Sequence, residues 1–288
     1  MRPATFEYFS PETLHEALEL IGEDSRPLAG GQSLIALMNL RFATPESIVD
    51  LQGIPDLTSI SADSEFVRIG AMVSQADTEI NSVILESAPL VAEGISEIGH
   101  WQIRTRGTVG GNLAHSDPAS ELPAVMVALG ALYHLVSKSG ERIVPAVEFH
   151  QGAYDTVLEP DELLTQISVP NQKLTERSAL KETVRAAGAY AIAGATTILE
   201  REEDTCVAGR LVFFGTGSKP YEVEGLIDIL AGKSLNPRSL REVSELVQEQ
   251  APLFDDFHAT AEQRKQILRA LSERVLEAAW QKFEKGTS

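Results

Sequence analysis

The chain has 288 residues, of which 43% are hydrophobic and 23% charged, enough to build more than one buried core. With 42 acidic against 24 basic residues it carries a formal net charge of −18, which argues against nucleic acid and anionic membrane as partners. The lone cysteine, Cys206, rules out an internal disulfide and any iron–sulfur or zinc–thiolate centre ligated by this chain alone.

In chain order, Ser10-Pro11-Glu12-Thr13 is expected to open a first helix with Pro11 at its first position, ending near Gly22. Arg26 to Ala29 then reads as a strand, Gly30-Gly31-Gln32-Ser33 as a turn, Leu34 to Leu40 as an apolar helix and Ser47 to Leu51 as a strand. From about residue 57 short strands take over, Phe66 to Gly70 being the clearest. A glycine-rich stretch at 107–112 follows, then an apolar helix at Leu122–Leu129 and strands at Ala131–Val136 and Leu164–Val169. After Pro170 the β-branched and alanine-rich run Thr183–Glu200 and the run Gly209–Gly215 predict a separate antiparallel layer. Ala259 to Lys285 repeats apolar residues at helical spacing and is expected to form a long amphipathic helix. No signal peptide or membrane span is recognised, so the chain reads as a soluble cytoplasmic protein.

Two glycine pairs are candidates for chemistry: Ala29-Gly30-Gly31-Gln32-Ser33, and Gly107-Thr108-Val109-Gly110-Gly111-Asn112. Such pairs let consecutive N–H groups converge on an anion without a cationic side chain, although a single pair taken alone is more often a plain turn. Neither loop contains a lysine or the spacing of a P-loop, and neither carries a Rossmann fingerprint. Gripping both ends of one diphosphate would require the two loops to meet in space. The third such stretch, Gly215 to Pro220, reads as a turn. The six histidines have no metal-ligand spacing, and no Ser/His/Asp constellation or catalytic residue is assigned. Cys206 sits in a polar stretch with nothing nearby to lower its pKa.

Several long motifs in order, Phe6-Glu7-Tyr8, Arg26 to Arg41, Ile98 to Pro123, Glu159 to Pro170 and Ala187 to Gly194, resemble the FAD-binding medium subunit of the molybdenum hydroxylases. That group includes carbon monoxide dehydrogenase, xanthine dehydrogenase and bacterial N-heteroaromatic hydroxylases. The resemblance implies an α+β fold: a two-subdomain, vanillyl-alcohol-oxidase-like FAD-binding part (1–56 and 57–172), then a C-terminal antiparallel sheet with helices (173–288). It implies FAD held at the diphosphate and ribityl by Ala29, Gly30, Gly31, Gln32, Ser33 and Leu34 and by Thr108, Gly110, Gly111 and Asn112, through backbone N–H groups and short side chains. By the same resemblance Ser116, Asp117 and Glu121 lie toward the ribityl, Leu164 near the ring, Lys181 near its polar edge, Tyr190 over one face, and Ile98 in apolar contact with adenine. Gln32 stands where some related flavin oxidases attach flavin through histidine, so noncovalent FAD is expected.

The implied partners are a small subunit with two 2Fe-2S clusters and a large molybdopterin subunit, as a dimer of heterotrimers, with electrons leaving through this chain to an external acceptor. An N-heteroaromatic substrate such as quinoline or nicotine is favoured over carbon monoxide, a purine or an aldehyde. A self-sufficient flavin oxidoreductase would need a proton donor or acceptor beside its own substrate pocket, for which no residue stands out. A cofactor-free assembly subunit would use the glycine pairs only as turns.

Overall fold

The computed structural model describes residues 2–285. Met1 and residues 286–288, the outer ends of the sequence-based domain ranges, lie outside the described residues. Helix makes up 38% of the chain and strand 28%. They are arranged as a short βαβ unit followed by two antiparallel sheets with segregated helices, which is an α+β fold.

The first layer contains β1 (Glu7–Phe9), α1 (Leu14–Leu20), β2 (Ser25–Leu28), α2 (Leu34–Asn39) and β3 (Ser47–Asp50), with the strands parallel in the order β1-β3-β2. The first helix starts later than the proline suggested. Thr13 is its N-cap, accepting from the Glu16 N–H at 3.2 Å, and this leaves Pro11 in the approach. Ala17, Leu18, Val49, Leu51 and Ile54 form a small core that also takes in Met72 and Leu163.

The second layer runs through β4 (Ile60–Ala62), β5 (Phe66–Gly70), α3 (Gln75–Ile80), α4 (Ser82–Ser87), α5 (Pro89–Glu97), α6 (Trp101–Arg104), α7 (Val109–His115) and α8 (Glu121–Leu129). It continues with β6 (Leu132–Ser137), β7 (Gly140–Pro145), α9 (Ala146–Phe149), β8 (His150–Gly152), β9 (Asp155–Thr156) and β10 (Leu163–Pro170). Its antiparallel sheet has the order β4-β5-β10-β6-β7, while β8 and β9 form a separate hairpin. The four helices between residues 75 and 104 are absent from the sequence reading, because they are short, and α5 buries a wide face that leaves only Pro89, Glu93, Ser96 and Glu97 on its outer side. All nine residues of α8 are buried, and it forms the axis of the largest core.

The third layer is the sheet β11 (Glu176–Val184), β12 (Ala191–Glu202), β13 (Thr205–Phe214) and β14 (Tyr221–Glu222), backed by α10 (Leu226–Leu230), α11 (Pro237–Gln250) and α12 (Ala261–Lys285). The expected run Thr183–Glu200 is therefore not one strand: a turn at 185–190 divides it. Because side chains alternate along a strand, the sheet feeds two cores. Ala179, Ala195, Leu211 and Phe213 pack on Leu268, Leu271, Val275 and Trp280 of α12, while Leu180, Val212 and Phe214 join the α5–α8 core. Burying such side chains contributes about 1.5–3 kcal/mol each, so this sheet binds the two halves into one body. Among the described residues no helix is long and apolar enough to cross a membrane.

Candidate functional site

Between β2 and α2 the chain turns through Gly31 at φ +73°, a left-handed conformation that glycine adopts without strain. Gln32 steadies the turn by donating from Nε2 to the Gly30 carbonyl at 3.0 Å, and Gln52 donates to the Ala29 carbonyl at 3.3 Å. Ser33 precedes α2 but makes no side-chain cap. Among the described residues, the N–H groups of Gly30, Gly31, Gln32, Ser33 and Leu34 have no intramolecular acceptor. Five successive free donors make a concavity suited to an anion.

The second loop lies against the first. A Cβ on Gly30 would fall 1.9 Å from the Arg106 carbonyl oxygen, and one on Gly111 would sit 3.1 Å from the Ala29 Cβ. The two glycine pairs thus meet in space, but their amides differ. In the second loop Val109 and Gly110 donate to the Val73 and Ala71 carbonyls at 3.0 and 2.9 Å, and Gly111 donates to Thr108 Oγ1 at 3.0 Å. The first two bonds clamp the start of α7 to the segment that follows β5, leaving the first loop as the one with the longer run of free amides. Gly110 is needed for that clamp, since a Cβ there would come within 2.4 Å of the Ala71 Cβ.

α7 ends at Ser116, which is buried in the left-handed region at φ +51°. Its Oγ lies 3.0 Å from His150 Nδ1 and donates to the Gly152 carbonyl at 3.3 Å. Burial, with a smaller effect from Lys219, brings His150 down to about 4, so its imidazole is neutral across the physiological range. Asp117 accepts from the Ala119 N–H at 2.9 Å and from the Tyr154 hydroxyl at 3.4 Å. The Tyr154 ring in turn packs on His115 with centroids 5.0 Å apart. Asn112 Oδ1 accepts from the Ser120 hydroxyl at 2.8 Å, joining the second loop to the start of α8.

Glu121 opens α8 and is only 6% exposed. Burial, with the Glu182, Asp117 and Glu97 carboxylates around it, pushes its carboxyl up to about 8, so it is a neutral hydrogen-bond donor at pH 7. Glu182, facing the same core from β11, is raised to about 7 by burial and Glu97. Tyr190 presents an exposed ring on the β11–β12 turn, and burial of its hydroxyl together with Asp117 and Glu121 raises its pKa. Glu121, Asp117 and Tyr190 therefore share one field.

Three candidates stand apart. Ile98 is 8% exposed within the core, where its carbonyl accepts from Arg104 Nη1 at 3.0 Å. Leu164 is 6% exposed, beside the irregularity where β10 shifts register against β6. Lys181 is exposed, and strand alternation puts it on the Ala179 face of β11, opposite Glu182. Four neighbours escaped the sequence reading: Gln52, Arg106, Tyr154 and Glu182. Each enters the site through tertiary packing and carries no local motif.

The amide concavity, the neutral carboxyl and the exposed aromatic plate fit the diphosphate, hydroxylated chain and flat ring of FAD, a match of donors and shape. Among the described residues no group of three or more His, Cys, Asp or Glu side chains could hold a metal ion.

Residues 4–172 match the model of the FAD binding domain in molybdopterin dehydrogenase, and residues 178–279 match the CO dehydrogenase flavoprotein C-terminal domain. The carbon monoxide dehydrogenase medium chain of Afipia carboxidovorans is 36% identical, with 97% of this chain and 98% of that one aligned. The structure superimposes with a TM-score of 0.94 on the carbon monoxide dehydrogenase of Hydrogenophaga pseudoflava, at 32% identity over 97% of this chain and 99% of that one. It also matches quinoline 2-oxidoreductase from Pseudomonas putida 86 with a TM-score of 0.94, at 30% identity over 98% and 99%. The chain belongs to the family of FAD-binding medium subunits of molybdenum hydroxylases, as its sequence motifs implied.

Proposed function

We propose that the chain, organised as 1–56, 57–172 and 173–288, binds FAD noncovalently and is the electron exit of a multi-subunit molybdenum hydroxylase. It accepts electrons from 2Fe-2S clusters of a small partner and passes them to an external acceptor, while substrate is oxidised on a large molybdopterin partner in the cytoplasm. The observation that carries this reading is the run of free amides at Gly30–Leu34 abutting the Thr108–Asn112 loop. FAD supplies one- and two-electron redox chemistry when bound.

This chain's residues do the binding and orienting. Gly30 to Leu34 direct their N–H groups to the diphosphate. Thr108, Gly110, Gly111 and Asn112 shape the opposing wall, since most of their amides are engaged within the protein. Ser116 and Asp117 hold the adjoining loop, and the protonated Glu121 carboxyl would donate a hydrogen bond to a ribityl hydroxyl. Tyr190 covers one face of the ring; Leu164, Lys181 and Ile98, which stand apart from the glycine loops, are assigned to the ring's surroundings, its polar edge and the adenine side by the family resemblance alone. Gln32 has no nucleophilic nitrogen to offer, which leaves the flavin releasable.

The substrate is proposed to be an N-heteroaromatic, supported by the likeness to quinoline 2-oxidoreductase. Carbon monoxide is the second reading, favoured by the 36% identity to a carbon monoxide dehydrogenase chain. The complex is proposed to be a dimer of heterotrimers.

The test is to co-purify the chain with its neighbouring subunits, record the visible spectrum and acid-precipitate the protein. FAD in the supernatant, and bleaching of its band by quinoline but not by carbon monoxide, is the expected result. A complex without flavin, or flavin retained on the precipitate, refutes the corresponding part.

A further inference from the structure

The turn carrying Tyr190 leaves β11 at Val184 and enters β12 at Ala191. Both of its ends are tied to residues 254–264, which span the connection from α11 into α12. On one side Arg185 donates from Nη2 to the Phe257 and His258 carbonyls at 3.0 and 2.9 Å. On the other, Arg264 donates from Nη1 to the carbonyl of Ile192 and, at 2.5 Å, to that of Gly215. Arg264 is only 2% exposed; its Nη2 pairs with Asp256 at 2.7 Å, and its guanidinium carbon lies 4.3 Å from the Phe254 ring centroid. Asp256 also accepts from the His258 and Ala259 N–H groups at 2.8 and 2.9 Å, which fixes the connecting segment itself. Gly215 donates its own N–H to the Pro118 carbonyl at 2.8 Å. One guanidinium therefore reaches the strand entered from Tyr190 through a single hydrogen bond and, by way of Gly215, the loop following Asp117 through two in series.

A buried guanidinium is a costly way to fill a core, because desolvating the charge offsets most of its attraction to a partner. Its Nε is buried without a partner, so the group is not arranged for maximal stability. What it supplies instead is direction: a planar fork fixes the angle between two backbone carbonyls and a carboxylate, as an apolar side chain would not.

We propose that Arg264 is a positioning residue for the cofactor, holding the Tyr190 turn and the Asp117–Pro118 loop in register through the Ile192 and Gly215 carbonyls and its ion pair with Asp256. The inference rests on the reading that Tyr190 covers the flavin. It adds a residue remote from both glycine loops to the machinery that sets ring geometry.

The experiment compares the co-purified complexes of wild type, Tyr190→Ala, Arg264→Met, Arg264→Lys and Asp256→Asn by the decay of flavin emission and by urea unfolding. A tyrosine ring in contact with flavin quenches its emission by electron transfer, which depends steeply on distance, whereas quenching by partner clusters is common to all variants. Tyr190→Ala is expected to abolish the fastest component. Arg264→Met and Asp256→Asn should lengthen it about threefold, as for a ring displaced by about 1 Å, and Arg264→Lys should restore part of the effect. Asp256→Asn keeps the side-chain oxygen that caps His258 and Ala259, so it reports even if Arg264→Met fails to fold. The proposal is overturned if Tyr190→Ala abolishes the component while Asp256→Asn and the Arg264 variants that fold keep the wild-type decay, whatever their urea midpoints. If Tyr190→Ala leaves the decay unchanged, the assignment of Tyr190 itself fails and the inference falls with it.

Discussion

Replacing Glu121 by glutamine tests the buried carboxyl at the heart of the site. In the unfolded chain Glu121 ionises near its ordinary value of 4.5, whereas in the fold burial and the neighbouring carboxylates push it up to about 8. Between those values folding takes up a proton, and each pH unit costs the folded state about 1.4 kcal/mol. The contribution is therefore fully present below pH 4.5 and is lost as pH rises through 8. The whole interval corresponds to about 5 kcal/mol, and solvent screening at the only partly buried Glu182 lowers the expected effect to about 2–4 kcal/mol. Glu121→Gln keeps the shape and the capacity to donate but cannot ionise. Urea unfolding of the flavin-free chain, followed by far-UV circular dichroism from pH 5 to 9, should give near-equal stabilities at pH 5. At pH 9 the variant should be the more stable by about 2–4 kcal/mol, and the titrations of groups remote from Glu121 cancel in the difference. Parallel curves for the two proteins would refute the reasoning, since Glu121 would then be ionised in the fold at ordinary carboxylate pH.

Gly30→Ala would force its new methyl against the Arg106 carbonyl, 1.9 Å away, and so separate the two loops; FAD retained after desalting should drop about tenfold, equivalent to about 1.4 kcal/mol of binding. Gly194→Ala places a Cβ 2.0 Å from the Phe214 ring. It should lower stability by about 1–3 kcal/mol in urea, and Phe214→Leu in the same chain should recover part of the loss. The Cys206 thiol is 1% exposed and pushed up to about 11 by burial. At pH 8 a maleimide reagent should therefore leave the native chain unlabelled and modify it fully in urea.

The sequence disclosed the fold where its pattern was local. The stripe from Leu268 to Phe283 marked α12, and the two glycine pairs marked the turn before α2 and the start of α7. It failed where elements are short and broadly buried: α5 buries Leu90, Val91, Ala92, Gly94 and Ile95 over about half its circumference, and within nine residues only Glu93, Ser96 and Glu97 mark its outer face. α11 carries a local start signal, for Asn236 and Ser239 make a reciprocal capping box around Pro237. In the site, the glycines announced a cradle, but Arg106 and Gln52 touch it only through backbone and amide contacts that no residue type foretells. The engagement of the Val109 and Gly110 amides is set by the neighbouring Ala71–Val73 segment and so is invisible in the loop sequences, whereas the Thr108 cap on Gly111 is local.

The position of β10 has a consequence for synthesis on the ribosome. It is the last strand of its sheet to be translated, yet it lies between β5 and β6 and pairs with both. Until Pro170 has emerged, a nascent chain therefore holds two half-sheets, each with an open edge where the missing strand belongs. Open edges invite pairing with other chains. The hundred or so residues that separate β5 from β10 thus define an interval of exposure that a chaperone would have to cover, and a chain truncated before Leu163 should aggregate instead of folding partially.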